Sequence, residues 1–354
     1  FNYINLILGY YQIIMKKIKI GIAGYGVVGK KRRAFIEKNK KMEIVAVSDI
    51  LFKTDGTFSD GILFYKDYRK LFKLDIDAIF ICLPNKYASE ATILSLKNNL
   101  HTFCEKPPGK NVKEIKNIIK IEKKYPHLKL KYGFNHRYHD SFIEAKKIIN
   151  SKKYGDIINI RAVYGKSAII PFKGGWRSKR SQAGGGILLD QGIHILDMIL
   201  HFVDEILEIK SFVSNSYWNH DVEDNVYALL KDKNNKTVML HSTATEWQHK
   251  FRLEITLESC LIEMSGILSG SKSYGDEKLT LIKKLKQNKN NPNASKIKKY
   301  KVDYSWKREI DEFAEIILKN KIIENGNSAD ALNVMNIIER IYKSDTKWRK
   351  KYIN

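Results

Sequence analysis

The chain has 354 residues, of which 43% are hydrophobic and 29% charged, and its 63 Lys and Arg residues against 39 Asp and Glu residues give a formal net charge of +24. This length suits two domains, each large enough for a core of its own. The three cysteines, Cys82, Cys104 and Cys260, lie far apart without CxxC spacing, which argues against a zinc site or a disulfide framework and favours a reducing compartment.

An apolar segment, residues 1–14, comes first and precedes Met15, which has the features of a natural start. The segment is too short to span a bilayer, and it lacks the basic region and cleavage site of a signal peptide. We expect a non-native or disordered extension without a chemical role, followed by a cytoplasmic protein that has no membrane partner.

Short apolar strands alternate with helices over residues 15–137. Strand 76–83 is almost continuously apolar, as expected of a parallel strand that is buried on both faces. The alternation predicts an α/β Rossmann domain with a doubly wound parallel sheet, whose ligands bind at the carboxyl ends of the strands. The predicted strands are 17–23, 43–47, 76–83, 101–105 and 129–134, and the predicted helices are 27–39, 86–98 and 111–124.

A glycine-rich turn joins the first strand to the first helix, as a dinucleotide-binding fingerprint requires. Gly24 permits the tight turn, Gly26 lets the backbone approach the pyrophosphate, and Gly29 allows close packing of helix on strand. Asp49 follows the second strand, where a carboxylate meets the ribose hydroxyls. The predicted cofactor is NAD; NADP is disfavoured because its 2′-phosphate would meet Asp49, although Lys53 is near in sequence. The turn residues predicted to bind the cofactor are Gly24, Tyr25, Gly26, Val27, Val28 and Gly29.

The pattern changes after residue 137 to strands that are joined by short turns. Such succession predicts a mostly antiparallel open sheet in an α+β domain, residues 138–354. Helix 186–202 should cover one face of this sheet, and the last helix can pack back on the first domain. The predicted strands are 157–164, 206–213, 226–230, 237–243, 252–257 and 260–264, and the late helices are 306–319 and 328–342.

The positive charge is spread over most segments and forms no single basic patch. The richest stretch, residues 283–301, contains no interleaved aromatic residue before Tyr300, so it is predicted to be a solvated, mobile loop and not a nucleic-acid-binding arm. No nucleic-acid partner is therefore expected, although a basic surface could attract an anionic substrate. The nine histidines form no HxxxH or HExxH spacing, so no metal is predicted.

Two further runs carry groups that can do chemistry beside the cofactor. Lys106 ends the strand 101–105, and an ammonium there could stabilise a developing alkoxide. Asp190 and His194 are four residues apart on one predicted helix, and an imidazole can take the hydroxyl proton when a hydride leaves a secondary alcohol. A histidine on an amphipathic helix is more often structural, and His201 is an equally placed alternative. Glycine turn, lysine and Asp-x-x-x-His, in this order, point to a dehydrogenase.

From Met15 onward the sequence resembles the glucose–fructose oxidoreductase and inositol dehydrogenase family, Gfo/Idh/MocA. The runs that carry the resemblance are Gly24-x-Gly26-x-x-Gly29, Leu83-Pro84-Asn85, Glu105-Lys106-Pro107, Gly133-Phe134-Asn135-His136-Arg137, Trp176-Arg177 and Asp190-x-Gly192-x-His194-x-x-Asp197. The resemblance implies hydride transfer between a nicotinamide and a secondary hydroxyl of a sugar, cyclitol or nucleotide-sugar derivative. Lys106, Asp190 and His194 would be catalytic. The resemblance adds Leu83, Pro84, Asn85, Glu105 and Lys106 to the cofactor site, and Asn135, Arg137, Trp176, Arg177, Asp190 and His194 to the substrate site.

The resemblance also implies a homodimer or homotetramer that forms through the second sheet. The apolar alternate positions expected to face the partner subunit are Val226, Ala228, Leu230, Val238 and Leu240.

Three positions depart from the family pattern: Leu83 where Thr is common, Ala88 where His is common, and Pro108 after Lys106-Pro107. They put exact substrate contacts in doubt. Two other functions stay open at this point, an NAD-dependent glycosidase of the same fold and a non-catalytic NAD-binding sensor. A nucleic-acid binder is weakest, since the chain has neither motif nor aromatic platform.

Overall fold

The computed structural model describes residues 17–168, 175–269, 273–284 and 293–352. The extension predicted at residues 1–14 lies outside them. Two sheets dominate the described residues, and each is covered by helices. The helices are α1 (Val27–Ile36), α2 (Asn85–Lys97), α3 (Val112–Glu122), α4 (Asp140–Asn150), α5 (Arg180–Ala183), α6 (Ile193–Ile199), α7 (Ser305–Leu318), α8 (Ser328–Ser344) and α9 (Thr346–Tyr352).

The first sheet has seven strands in the order β3-β4-β2-β1-β5-β6-β7. All pairs are parallel except β3 with β4, which confirms the predicted doubly wound sheet. The short strands β3 and β4 were not predicted, because two and three residues are too few to show a periodic pattern. The strands are β1 (Ile18–Ala23), β2 (Met42–Ser48), β3 (Gly56–Thr57), β4 (Leu63–Tyr65), β5 (Ala78–Ile81), β6 (His101–Glu105) and β7 (Leu130–Gly133).

The second sheet has eight strands in the order β15-β14-β13-β12-β8-β11-β10-β9. Every pair is antiparallel except β8 with β11, so the predicted mostly antiparallel sheet is confirmed. The strands are β8 (Ile157–Ser167), β9 (Ile206–Ser214), β10 (Asn225–Asp232), β11 (Thr237–Glu246), β12 (Lys250–Leu257), β13 (Cys260–Ser265), β14 (Glu277–Lys284) and β15 (Asn293–Tyr300).

The prediction of a solvated loop over 283–301 is wrong for the residues that the structure describes. The strand β15 pairs with β14 along its whole length, and Thr280 lies opposite Ile297. The strand is an edge, and its lysines remain exposed while its backbone is paired on one side. Lysine-rich edge strands discourage pairing with other chains, so a high lysine content is compatible with a strand here.

The two faces of the second sheet differ from the expected arrangement. Val226, Ala228, Leu230, Val238 and Leu240 are buried in the core beneath the helices, not turned toward a partner. The side chains on the opposite face are exposed. Both faces of these strands are apolar, so the alternation itself could not show which face lies inward. The large exposed residues of this open face include Leu207, Phe212, Tyr227, Leu229 and Met239.

One late helix, α7, returns to the first sheet. Its Phe313 packs edge-on against Phe80 and Phe103, with ring centroids 5.7 and 5.5 Å apart. The fully buried Arg32 of α1 lies 2.7 Å from Glu309 on this helix, so an ion pair also joins α7 to α1. We therefore assign α7 to the first domain and keep the break after residue 137 as a proposal. Within the described ranges no helix is both long and apolar enough to cross a membrane.

Candidate active site

The glycine turn has the space that a dinucleotide needs. Gly24 has a φ of +92°, and a Cβ atom there would lie 2.4 Å from the carbonyl oxygen of Cys82. A Cβ at Gly29 would lie 2.0 Å from the oxygen of Gly24, whereas one at Gly26 would meet nothing within 4 Å. Gly24 and Gly29 thus serve the turn and the packing, while Gly26 faces open space, as close approach of a pyrophosphate requires.

Helix α1 begins directly after this turn and can bind an anion. Its N-cap residue is Gly26, which has no side chain to cap the first N–H groups of the helix. Val27 is 87% exposed, Tyr25 and Val28 are half-buried, and all three border the turn. These residues fit the pyrophosphate and adjacent ribose of a nicotinamide dinucleotide.

Asp49 lies at the end of β2 beside the glycine turn. Its Oδ2 accepts the N–H of Tyr25 at 2.8 Å and its Oδ1 accepts the N–H of Leu51 at 2.9 Å. The carboxylate therefore holds the turn against the strand end. Each oxygen keeps a second lone pair, so a hydrogen bond from a ribose hydroxyl remains available.

The other residues predicted for the cofactor lie at the ends of β5 and β6. Leu83 and Pro84 are partly exposed ahead of α2. The Asn85 amide donates to the carbonyl of Ala183 at 2.7 Å and so connects the two halves of the chain. The Glu105 carboxylate accepts from Arg32 Nε at 2.5 Å. Asn85 and Glu105 thus hold the site together, and cofactor contacts of Leu83 and Pro84 stay a prediction.

Lys106 and Asp190 lie together in the structure. Lys106 Nζ donates to the backbone oxygen of Asp190 at 2.5 Å and lies 3.7 Å from its Oδ1. Arg177 Nε lies 3.6 Å from the same Oδ1, and its guanidinium stacks over Trp176 at 4.2 Å. Burial lowers the pKa of Lys106 below 10.5, although Asp190 opposes this. Burial would raise the pKa of Asp190, but Lys106 and Arg177 outweigh it and hold that pKa below 3.8.

The helix that carries these groups contains a π-helical turn, Leu188–Gly192, directly before α6. Such turns occur frequently at functional sites. Asp190 belongs to the π-turn and His194 to α6. Among the described residues no hydrogen bond joins Asp190 to His194, so the pairing expected from their spacing is not formed. The Asp190 side chain contacts Lys106 and Arg177 instead.

The His194 ring packs against a second histidine, His136. The two rings are stacked, with centroids 3.8 Å apart and planes inclined by 14°. His136 Nε2 lies 3.2 Å from the hydroxyl of Tyr164, and its Nδ1 lies 3.2 Å from Asn135 Oδ1. Burial is the main reason that the pKa of both His194 and His136 lies well below 6.5; His136 adds to the lowering for His194, and His139 adds to it for His136. His194 is therefore neutral at neutral pH and can accept a proton.

His136 is a site residue that sequence reasoning missed. It lies in the Gly133–Arg137 run after β7, and its place at the end of a parallel strand was the available signal. Glu223 was also missed. Its carboxylate accepts the N–H groups of Gly186 and Leu188 at 2.7 and 3.0 Å, and so anchors the start of the helix that carries Asp190 and His194.

Two residues predicted for the substrate are occupied elsewhere. Arg137 Nε and Nη2 donate to Asp197 at 2.7 and 2.5 Å, and Nη1 donates to Asp330 at 2.7 Å. The Asn135 amide donates to Ser305 Oγ at 3.3 Å. Arg137 is thus a buried ion-pair residue, and we do not propose it as a substrate ligand. Within the described part of the chain, no cluster of His, Cys, Asp or Glu has the arrangement of a metal site.

Comparison with known proteins agrees with this geometry. The profile of an oxidoreductase family with an NAD-binding Rossmann fold matches residues 18–134, and that of the GFO/IDH/MocA C-terminal domain matches residues 142–263. The chain belongs to the Gfo/Idh/MocA oxidoreductase family. The matches place it among NAD-binding oxidoreductases similar to sugar and cyclitol dehydrogenases.

Individual relatives are distant. The chain is 26% identical to the uncharacterized oxidoreductase YrbE of Bacillus subtilis over 68% of its own length and 71% of that protein. It is 25% identical to the D-glucoside 3-dehydrogenase of Escherichia coli over 56% of its own length, and this match spans only 58% of the enzyme.

Solved structures share the fold over nearly the whole chain. The levoglucosan dehydrogenase complex with NADH is 19% identical and superposes with a TM-score of 0.78, over 94% of this chain and 98% of that one. A 3-ketoreductase of Actinomadura kijaniata with TDP-benzene and NADP is 17% identical, with a TM-score of 0.77, over 93% and 98%.

Proposed function

We propose that this chain is an NAD-dependent oxidoreductase that moves a hydride between nicotinamide and a secondary hydroxyl of a sugar, cyclitol or nucleotide-sugar derivative. The observation that carries the proposal is the arrangement of Lys106 and His194. A partly buried ammonium and a neutral imidazole lie near the carboxyl ends of the nucleotide-binding strands, where ligands of such sheets bind. The named sugar and glucoside dehydrogenases among the relatives support the same reaction class.

Lys106, Asp190 and His194 have different roles in the proposed hydride transfer. When bound, the nicotinamide supplies the hydride acceptor or donor. His194 accepts the hydroxyl proton during oxidation and returns it during reduction, because burial keeps its imidazole neutral. Lys106 donates a hydrogen bond to the reacting oxygen and stabilises its negative charge. Asp190 positions Lys106 through its backbone oxygen and carboxylate.

NAD is the cofactor that Asp49 supports. A carboxylate at the end of β2 attracts ribose hydroxyls and repels a 2′-phosphate. Relatives bind either cofactor: one structural neighbour is a complex with NADH and another a complex with NADP. The choice therefore depends on this chain's own residues, Asp49 above all.

A second copy of the chain is the partner that we propose. The open face of the second sheet carries Leu207, Phe212, Tyr227, Leu229 and Met239, and a contiguous exposed apolar patch of this kind marks an interaction surface. A homodimer that joins two such faces would bury them, and a homotetramer needs a further contact.

A substrate screen tests the proposed function. The purified chain is incubated with NAD⁺ or NADP⁺ and a panel of aldoses, glycosides, cyclitols and nucleotide sugars, and the formation of reduced cofactor is followed. Activity that disappears in Lys106→Met and His194→Ala, while both variants still bind NADH, supports the proposal. Release of aglycone without net NADH would indicate a glycosidase, and NADH binding without any turnover would indicate a sensor.

A further inference from the structure

The charges around Asp190 do not balance. Lys106 and Arg177 both approach the same carboxylate oxygen, Oδ1, at 3.7 and 3.6 Å. Lys166 is near enough for Asp190 and Arg177 to influence its pKa, which burial lowers below 10.5. Even with Lys166 set aside, two cations share one carboxylate. Partly buried charge of one sign is costly unless a counter-charge is present.

Other nearby groups do not restore the balance. The Glu105 carboxylate is next to Lys106 in the chain but pairs with Arg32 at 2.5 Å. Arg32 also contacts Glu309, but burial raises the pKa of that carboxyl to about 7, so Glu309 takes up only part of the Arg32 charge. His194 and His136 are neutral at neutral pH. An oxidised nicotinamide in this cleft would add a further positive charge. The cleft therefore favours a bound anion.

Arg177 is the side chain best placed to bind that anion. Its guanidinium has one ionic contact, to Asp190, and stacks on Trp176. It makes no hydrogen bond to any described residue, and the side chain is 48% exposed. The contact of 3.6 Å is longer than a hydrogen bond, so its N–H donors remain available. A guanidinium matches the two oxygens of a carboxylate or phosphate.

We propose that the substrate is an anionic sugar, with a carboxylate or phosphate group close to the oxidised carbon, and that Arg177 binds this group. This inference rests on the proposed dehydrogenase function and narrows its substrate class. A neutral sugar would leave the positive charges of Lys106 and Arg177 opposed only by Asp190. An oxyanion next to the reacting carbon reaches Arg177 while the hydroxyl lies between Lys106 and His194.

Matched substrates test the inference. Initial rates are measured with methyl glycopyranosides, with the corresponding methyl glycopyranosiduronates, which carry a free carboxylate, and with the corresponding methyl glycopyranoside 6-phosphates. We expect the better of the two anions to exceed the neutral sugar in kcat/KM by about tenfold to hundredfold, as for a hydrogen bond between charged groups. The preference should fall at high ionic strength. The two anionic arms show which oxyanion is bound.

Variants separate binding of the anion from a structural effect. Arg177→Gln should remove the preference, mainly by raising KM for the anionic sugar, so that the ratio of kcat/KM between the anionic and the neutral sugar falls to about one. Arg177→Lys should restore part of it, because charge remains while the bidentate geometry is lost. Lys233→Gln, at the far end of the β10–β11 hairpin, is the control and should keep the full preference.

The inference would be overturned if the neutral sugars react as well as or better than the anionic ones and if Arg177→Gln does not change the ratio of their kcat/KM values. That result would leave the dehydrogenase function intact. If no sugar reacts with either cofactor, the proposed function fails. In that case the neutral and anionic sugars are compared by the shift in melting temperature that each causes in the NADH-loaded protein. Larger stabilisation by the anion, lost in Arg177→Gln, would support the anion site, and equal stabilisation would reject it.

Discussion

His136 and His194 stack face to face at the end of the nucleotide-binding sheet, with centroids 3.8 Å apart. The stack fixes the plane of the His194 ring and keeps water from its buried side. Nδ1 of His194 is buried and has no hydrogen-bond partner among the residues that the structure describes, so packing, not a carboxylate, orients this imidazole. The arrangement differs from an acid–histidine pair, in which an acceptor fixes the tautomer.

Replacing His136 should therefore disturb the base through packing. In His136→Ala, water reaches His194 and the main cause of its lowered pKa is lost, so the acidic limb of kcat/KM should move up toward 6.5. We expect kcat to fall by about 10²-fold from misplacement of the ring. His136→Phe keeps a buried flat ring and should shift the limb less. If the two variants lower the rate equally and neither moves the acidic limb of kcat/KM, His136 does not position His194.

Both the acidic and the alkaline limb of the pH–activity profile of the unmodified enzyme should lie at lower pH than for an ordinary histidine and lysine. Oxidation needs neutral His194, whose pKa lies below 6.5, so activity should persist to lower pH than for an ordinary histidine. It also needs protonated Lys106, whose pKa lies below 10.5, so alkaline loss should begin early. Asp190→Asn removes the charge that opposes this lowering, and the alkaline limb should move further down. An acidic limb at or above 6.5 in the unmodified enzyme would exclude His194 as the buried base.

Much of the fold could be predicted because local signals agreed with it. The glycine turn, Asp49 and the strand ends were found from spacing alone, since parallel strands bring their carboxyl ends together. The inward face of β10 was assigned wrongly. Ala228 and Leu229 point to opposite faces and are both apolar, so the alternation along the strand does not show which face is buried. Arg137 was predicted to bind substrate, and in the structure it donates three hydrogen bonds to Asp197 and Asp330; such long-range partners leave no trace in local spacing.

Two glycine substitutions should separate folding from cofactor binding. Gly29→Ala would place a Cβ 2.0 Å from the oxygen of Gly24, so we expect a loss of several kcal/mol in unfolding free energy, about the cost of severe overpacking. The added Cβ of Gly26→Ala meets no atom of the described residues within 4 Å, so this variant should keep the melting temperature. It should weaken NADH binding by about 10²-fold or more, because the Cβ lies where the pyrophosphate approaches. Thermal melts and fluorescence titration with NADH measure the two effects. Tight NADH binding by Gly26→Ala would contradict the assignment of the turn.

The open sheet face should control the oligomeric state. Tyr227 and Leu229 are each about half exposed, and Phe212 is 79% exposed. Burying such side chains between subunits contributes about 1.5–3 kcal/mol each, and a lysine would reverse that gain. We expect Phe212→Lys combined with Leu229→Lys to shift a dimer or tetramer toward monomer in light scattering. Ile322→Lys, at a residue 84% exposed elsewhere, is the control. A monomeric unmodified protein at micromolar concentration would refute the interface.

The role of Asp49 in cofactor choice can be tested apart from its role in the turn. Both carboxylate oxygens accept backbone N–H groups, from Tyr25 and Leu51, so Asp49→Ala should also cost about 1–3 kcal/mol of stability. Asp49→Asn keeps one acceptor oxygen and removes the negative charge that opposes a 2′-phosphate. We expect the ratio of kcat/KM for NAD to that for NADP to fall by about tenfold or more in this variant.

Lys53 supplies the control for that measurement. If its ammonium shields Asp49, Lys53→Gln should raise the preference for NAD, whereas Asp49→Asn lowers it. Because the two substitutions change charge in opposite directions near one site, a shared structural effect would move both ratios the same way. An unmodified enzyme that favours NADP would show that Asp49 stabilises the glycine turn against β2 but does not select between the ribose of NAD and that of NADP.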